Sequence, residues 1–296
     1  MTIVINQMDN NLWEYLYSSK AVKMRGKVIS KFERVINIEF TYPHFLVAFA
    51  LDSVISSPYM MKTNNVQSFI DIRDSVNIGD NVYLKADHTL IIGNFELIYT
   101  QARRWNSHLP EVRRDHQYIN NNYCFLKDYL TDYGKPKGIR NAYLFLEEKI
   151  NNTQIETAYD NFFMELLYKL DNELSYENIK QFMGLGVGLT PSGDDFITGL
   201  LAVLYCYAPE SLEVKKIFHS FKMNDFQSKT TTISFYMIRH ILQGRVNAAL
   251  RDYLLFNHED SFVHKQSADS VLEIGSTSGT DMLVGVCFGL RYLQKK

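Results

Sequence analysis

Two segments of this sequence must be buried helices, and they carry the same signature. Ser192-Gly193-Asp194-Asp195-x-x-x-Gly199 returns 86 residues later as Ser278-Gly279-Thr280-Asp281-x-x-x-Gly285. Each copy leads directly into an apolar stretch with little polar face, Phe196–Ala208 in the first and Met282–Leu290 in the second. A helix that is apolar all round belongs in a core, and a glycine within it lets a second backbone come close. A pair of central helices is therefore expected. Both stretches fall short of the ~20 residues needed to span a bilayer, so no membrane association is expected.

Outside these segments the hydrophobic period divides the chain in two. Lys27–Phe40 alternates apolar with polar residues, Phe45–Leu51 is a continuous run of strand formers, and Val82–Leu84 and Thr89–Tyr99 add further strands. Gly79–Asp80 and Gly93–Asn94 supply turns or bulges. Past Arg103 the period becomes helical, as in Tyr143–Ile150, Ala158–Leu170 and Ile233–Leu242. The segment from Trp105 to Asn122 is polar and contains Pro110, so the boundary is expected there. This predicts an α+β chain: an antiparallel β-rich domain over residues 1–115, then a mainly helical domain over 116–296 that carries the motifs.

Composition excludes several functions. The 296 residues hold 31 Lys and Arg against 33 Asp and Glu, too little positive field to hold nucleic acid. Cys124, Cys206 and Cys287 lie far apart, each expected as a small buried residue in a reducing compartment. The first residues, MTIVINQMDNNLWEYL, place Asp9 early and lack the order of a secretory signal, so a cytoplasmic protein is expected. His219, His240, His258 and His264 show no metal-ligand spacing.

The informative loop is GLGVGLTP, residues 184–191, ahead of the first Ser-Gly-x-Asp copy. Alternate glycines at 184, 186 and 188 admit left-handed backbone, and Pro191 fixes one torsion before Ser192. Ser192 and Asp195 have the spacing of a capping box, which predicts a helix start at Ser192. Such a start directs unsatisfied N–H groups and partial positive charge into the space the loop encloses. The segment is not a phosphate-binding P-loop, since Asp194 and Asp195 stand where Lys and Ser/Thr belong. Two like charges 4 Å apart repel by roughly 4 kcal/mol at an effective dielectric of ~20, against ~0.3–1 kcal/mol offered by a helix terminus. A bare phosphate is thus poorly held beside Asp194 and Asp195. Two options stay open: Mg²⁺ held by Asp194 and Asp195 against a phosphate, or a neutral amide or ureido group hydrogen-bonded to an Asp. Between the copies, Lys229-Thr230-Thr231-Thr232 opens a further helix that also carries Arg239, and Thr231 and Thr232 are candidates for a third wall.

At GLGVGLTPSGDDFITG, with Thr-Thr-x-x-Ser at 231–234 and Ser-Gly-x-Asp at 278–281 following in order, the chain resembles the AllH-like family. Described members of that family are subunits of the multi-component oxamate carbamoyltransferase of allantoin degradation, a step of purine catabolism and nitrogen metabolism. It converts oxalurate and phosphate to oxamate and carbamoyl phosphate. The resemblance implies a carbamoyltransferase subunit of the EC 2.1.3 type working with companion subunits on a small ureido or phosphate substrate. Within that expectation Asp195 and Asp281 are the catalytic candidates. Gly186, Gly188, Thr190, Ser192, Gly193, Asp194, Thr231, Thr232, Ser278 and Gly279 are the substrate-binding candidates. Lys229, Arg239 and Arg245 are candidates for a phosphate clamp. The alternatives are a noncatalytic assembly subunit of such a complex, or an independent phosphate- or amide-binding enzyme.

Overall fold

The computed structural model describes residues 1–18, 24–41, 44–85, 87–151, 157–256 and 261–296. The chain divides into two compact units, Met1–His108 and Leu109–Lys296, and the division falls inside the polar segment that begins at Trp105. The class is α+β: a curled β unit followed by a mostly helical one.

The first unit contains β1 (Thr2–Val4), β2 (Gln7–Asp9), α1 (Asn10–Tyr17), β3 (Arg25–Lys31), β4 (Val35–Thr41), β5 (His44–Leu51) and β6 (Met60–Thr63). It continues with α2 (Val66–Ser75), β7 (Asn81–Leu84), β8 (Thr89–Ile92), β9 (Phe95–Ile98) and β10 (Arg103–Trp105). The strands form one sheet in the order β1-β9-β8-β7-β3-β4-β5-β6-β2-β10. The alternating stretch 27–40 supplies β3 and β4, whose register shifts between Val28 and Ser30. The Gly93–Asn94 pair turns β8 into β9, with Ile92 opposite Phe95. Three pairings are parallel rather than antiparallel: β1 with β9, β2 with β10 and β5 with β6. Periodicity does not show them, because the strands concerned are three or four residues long, apart from β5.

The sheet curls because one stretch of chain serves both of its ends. β1 runs along β9, and after two linking residues β2 runs between β6 and β10. Across that link Ile5 N–H donates to Ile98 O at 2.9 Å and Asn6 N–H to Lys62 O at 2.8 Å. α2, capped by Asn65 accepting from Ser68 N–H, lays Phe69 on Phe49 of β5, with ring centroids 5.3 Å apart.

The second unit consists of α3 (His116–Tyr133), α4 (Arg140–Leu146), α5 (Ala158–Asn172), α6 (Tyr176–Ile179), α7 (Ser192–Tyr207), α8 (Leu212–Ser220) and α9 (Met223–Phe226). α10 (Thr232–Ile241), α11 (Ala248–Leu255), α12 (Ser261–Leu272) and α13 (Ser278–Gln294) complete it. α4 stops earlier than the expected Ile150, because Glu148 adopts left-handed backbone at φ 56°. α7 and α13 are the two buried helices. α7 is buried continuously from Ser192 to Leu204, and α13 from Gly279 to Leu290. They lie parallel and touch through their glycines: a Cβ at Gly199 would overlap Met282 O, and one at Gly285 would overlap Phe196 O. Since 196 and 282, like 199 and 285, differ by 86, the two copies meet as equivalents. Both starts consequently lie at one end of the pair.

Among the cysteines, Cys206 and Cys287 are buried thiols, whereas Cys124 is exposed rather than buried as expected.

Candidate functional site

The two Ser-Gly-x-Asp starts do not cap their own helices. Pro191 and Thr277 occupy the cap positions and neither provides a side-chain cap, so Ser192 and Ser278 are already the first helical residues. The capping box expected from Ser192 and Asp195 is therefore absent, in contrast to α5, where Thr157 and Asp160 form one. The serines reach across instead. Ser192 sets its hydroxyl beside the Asp281 carboxyl, and Ser278 sets its own beside the Asp195 carboxyl. Thr190 Oγ1 lies 2.9 Å from Ser278 Oγ, which ties the glycine loop to the start of α13.

This exchange buries two carboxyl groups where the copies meet. Asp195 and Asp281 have no accessible surface. Asp281 Oδ1 accepts from Ile139 N–H at 2.9 Å. Both oxygens of Asp195, and Oδ2 of Asp281, lack a partner of hydrogen-bond geometry among the described residues. The Thr190 and Ser278 hydroxyls are directed largely to each other, and so leave Asp195 incompletely satisfied. Burial, reinforced by the charge of Asp281, holds Asp195 well above the ordinary carboxylate range. Burial also pushes Asp281 up to about 7, against the opposing effect of Ile139 N–H and the Ser192 and Thr277 hydroxyls. Near neutral pH the pair thus combines a carboxyl whose charged form is disfavoured by burial with one poised to gain or lose its proton.

Asp194 has a different task. Its Oδ1 accepts from Gly184 N–H at 2.9 Å and its Oδ2 from the Thr230 hydroxyl. It fastens the start of the glycine loop to the approach of α10, and burial raises its pKa. Thr231 caps α10 through Ser234 N–H and donates its hydroxyl to Leu189 O. Gly193 and Gly279 lie against the carbonyl groups of Phe182 and Val271. Gly186, at φ 118°, could carry no side chain, because a Cβ would lie 2.6 Å from Ser192 N. Gly188 borders open space, and its neighbour Val187 is 80% exposed.

The remaining candidates lie further out. Thr232 and Lys229 are exposed, the latter with its carbonyl against Gly184. Arg239 stands roughly 10 Å along α10 at 1.5 Å per residue, over the Tyr236 ring, and Arg245 follows the helix and bonds Gln243 Oε1. No group of three His, Cys, Asp or Glu side chains among the described residues converges to hold a metal. His219 is exposed and His240 and His264 are buried, while His258 lies outside the described residues.

One participant escapes sequence reasoning: the loop Gly134–Ile139 between α3 and α4. Ile139 N–H reaches Asp281, and Lys135 N–H donates to Thr280 Oγ1 at 3.0 Å. Two glycines, a proline and two lysines within GKPKG were the available signal.

These features define an α+β protein of two compact units, whose helical unit buries a pair of carboxyl groups where two repeated helix starts meet. The chain belongs to the AllH family: residues 182–290 match oxamate carbamoyltransferase subunit AllH, and residues 4–104 match the AllH family N-terminal domain. It is thereby placed among subunits of a carbamoyltransferase of allantoin degradation. No solved structure matches the chain. Among the described residues no helix is long and apolar enough to cross a membrane.

Proposed function

We propose that the paired starts of α7 and α13 bind the carbamoyl-bearing reactant in the conversion of oxalurate and phosphate to oxamate and carbamoyl phosphate. The observation that carries this reading is Asp195, wholly buried at the junction of two helix starts that do not use it as a cap, with both oxygens lacking a partner of hydrogen-bond geometry among the described residues. A buried polar group left without a partner costs about 1–3 kcal/mol, which a ligand's ureido N–H would recover.

In the reaction a phosphate oxygen forms a bond to the carbamoyl carbon, and the bond from that carbon to the oxamate nitrogen breaks. Asp281, close to half-ionised at neutral pH, accepts the proton released by phosphate. Asp195, whose neutral form burial favours, delivers a proton to the departing nitrogen. Negative charge developing on the carbamoyl oxygen is met by the partial positive charge of the two helix starts, since the Gly193, Asp194, Asp195, Gly279 and Asp281 N–H groups already donate to carbonyls of the chain. Gly186, Gly188, Thr190, Ser192, Gly193, Ser278 and Gly279 shape the space, with Thr231 and Thr232 at its side. Lys229 is the phosphate cation on that side, and Arg239 and Arg245 stand behind it. Companion subunits complete the enzyme.

Asp195→Asn in the assembled complex tests this reading. Turnover should fall at least about a hundredfold, the scale of losing one preorganised transition-state contact, with the melting temperature nearly unchanged. Activity within a few-fold of wild type would assign the subunit to assembly instead.

A further inference from the structure

The loop Gly134–Ile139 is built onto the start of α13 through three separate ties. Ile139 N–H donates to Asp281 Oδ1 at 2.9 Å and Lys135 N–H to Thr280 Oγ1 at 3.0 Å. The Lys135 ammonium donates to Gly275 O at 3.0 Å, which occupies that lysine in fastening the loop. Gly138, at φ 67°, brings its backbone so near Asp281 that a Cβ would stand 2.6 Å from Oδ2, the oxygen that has no partner.

Lys137 lies between these anchors with φ at 81°. Left-handed backbone costs a side-chain-bearing residue about 1–2 kcal/mol, and glycine or asparagine would adopt it more readily. The Lys137 side chain is exposed and forms no ion pair among the described residues. A strained lysine with no ion pair among the described residues is thus held one residue from the backbone that closes over the Asp281 carboxyl. The oxygens of Asp195 and Asp281 that lack a partner among the described residues call for N–H donors, and the residue next to Gly138, whose backbone lies against Asp281, carries an exposed cation with no ion pair among those residues.

Resting on the reading that this site handles a carbamoyl group, we infer that Lys137 is a substrate-binding residue. It holds the anionic end of a reactant whose amide or ureido end meets the two aspartates. Phosphate and the carboxylate of oxalurate share that chemistry. Lysine meets either as a compact point charge on a flexible four-carbon stem.

The test uses the complex assembled from the full chain and its companion subunits. Lys137→Gly removes the charge and relieves the backbone, so a purely structural role predicts unchanged or better behaviour. Lys137→Arg keeps the charge. Lys137→Gly should raise KM for phosphate or for oxalurate about tenfold with kcat changed less, while Lys137→Arg stays within about threefold of wild type. Both should melt within a few degrees of wild type. A rise confined to phosphate assigns Lys137 to that anion and a rise confined to oxalurate assigns it to the carboxylate, and either supports the inference. Unchanged KM values for both reactants in Lys137→Gly would overturn it, and Asp195→Asn assayed alongside separates the two failures. If Asp195→Asn is inactive, the site reading survives the loss of Lys137; if it is fully active, both fall.

Discussion

Gly199 and Gly285 occupy equivalent positions on two parallel helices, and each is pressed against the backbone of the other helix. A Cβ at Gly199 would stand 2.8 Å from the Met282 carbonyl carbon, and one at Gly285 2.8 Å from Leu200 N. Backbone cannot yield as a flexible side chain does. Replacing glycine by alanine within a helix ordinarily gains about 1 kcal/mol. Here Gly199→Ala and Gly285→Ala should each lose about 2–3 kcal/mol, the scale of overpacking a core. Gly289→Ala, whose new methyl would meet only the Val203 and Leu200 side chains, should lose less. Urea unfolding midpoints of the three variants decide the order.

Asp194 and Asp195 are neighbours with opposite expected phenotypes. Asp194→Ala removes the acceptor of Gly184 N–H and of the Thr230 hydroxyl, and should cost about 2–3 kcal/mol as the loop loosens. Asp194→Asn keeps an acceptor for Gly184 and should recover most of that loss. Asp195→Asn should leave stability unchanged or raised, since it replaces a buried acid that the described residues leave incompletely satisfied. Thermal melts of the three proteins at pH 7.5, a little above the Asp281 midpoint of about 7, provide the comparison.

Stability should depend on pH through two opposing sets of buried groups. Asp281 is raised from 3.8 to about 7, so its contribution is full below about pH 4 and is lost as pH rises through 7, on the order of 4 kcal/mol in all. His240 and His264 are lowered by burial to about 3 and about 4, so their contribution is present above pH 6.5 and lost as pH falls. Between about pH 4 and 6.5 these trends offset one another in the wild type. Asp281→Asn retains an acceptor for Ile139 N–H while removing the acid. Relative to wild type it should gain about 3 kcal/mol between pH 5 and pH 8, and a pH-independent difference would refute the assignment.

At the far end of α13, Arg291 bridges Glu147 at 2.6 Å and Asp171 at 3.0 Å. The Glu147 side chain is only 3% exposed, so Arg291→Met strands a buried charge and should cost about 3–5 kcal/mol. Adding Glu147→Gln should return part of that loss. Lys295→Ala, on a half-exposed ammonium bonded to the same Asp171, should change stability by less than about 1 kcal/mol. Denaturant titration distinguishes the three.

The sequence made the buried pair legible because its information is local and repeated: an apolar run, an initial Ser-Gly-x-Asp and a glycine one turn on. Class, central helices and β strands with full alternation all follow from period. The role of Ser192 was not legible, since a capping box and a hydroxyl extended to another helix have the same spacing, and only the position of Pro191 as the cap separates them. The Gly134–Ile139 loop was hidden for a related reason. Its partner Asp281 lies 142 residues from Ile139, and no local pattern encodes that meeting. The parallel strands β1, β2 and β10 are too short for alternation to register, and they are defined by partners rather than by their own composition.

The two-ended service of Thr2–Asp9 in the curled sheet also sets an order of events. Ile3 pairs with Leu97 and Met8 with both Met61 and Arg104, so the residues synthesised first wait for some of those synthesised last in the unit. The antiparallel hairpins β3–β4–β5 and β7–β8–β9 close over short separations and can form early, whereas ordering a long loop must precede any gain from β1. Sheet closure is therefore expected as the late, rate-limiting step, and the first nine residues are the stretch at which a nascent chain is most exposed to mispairing.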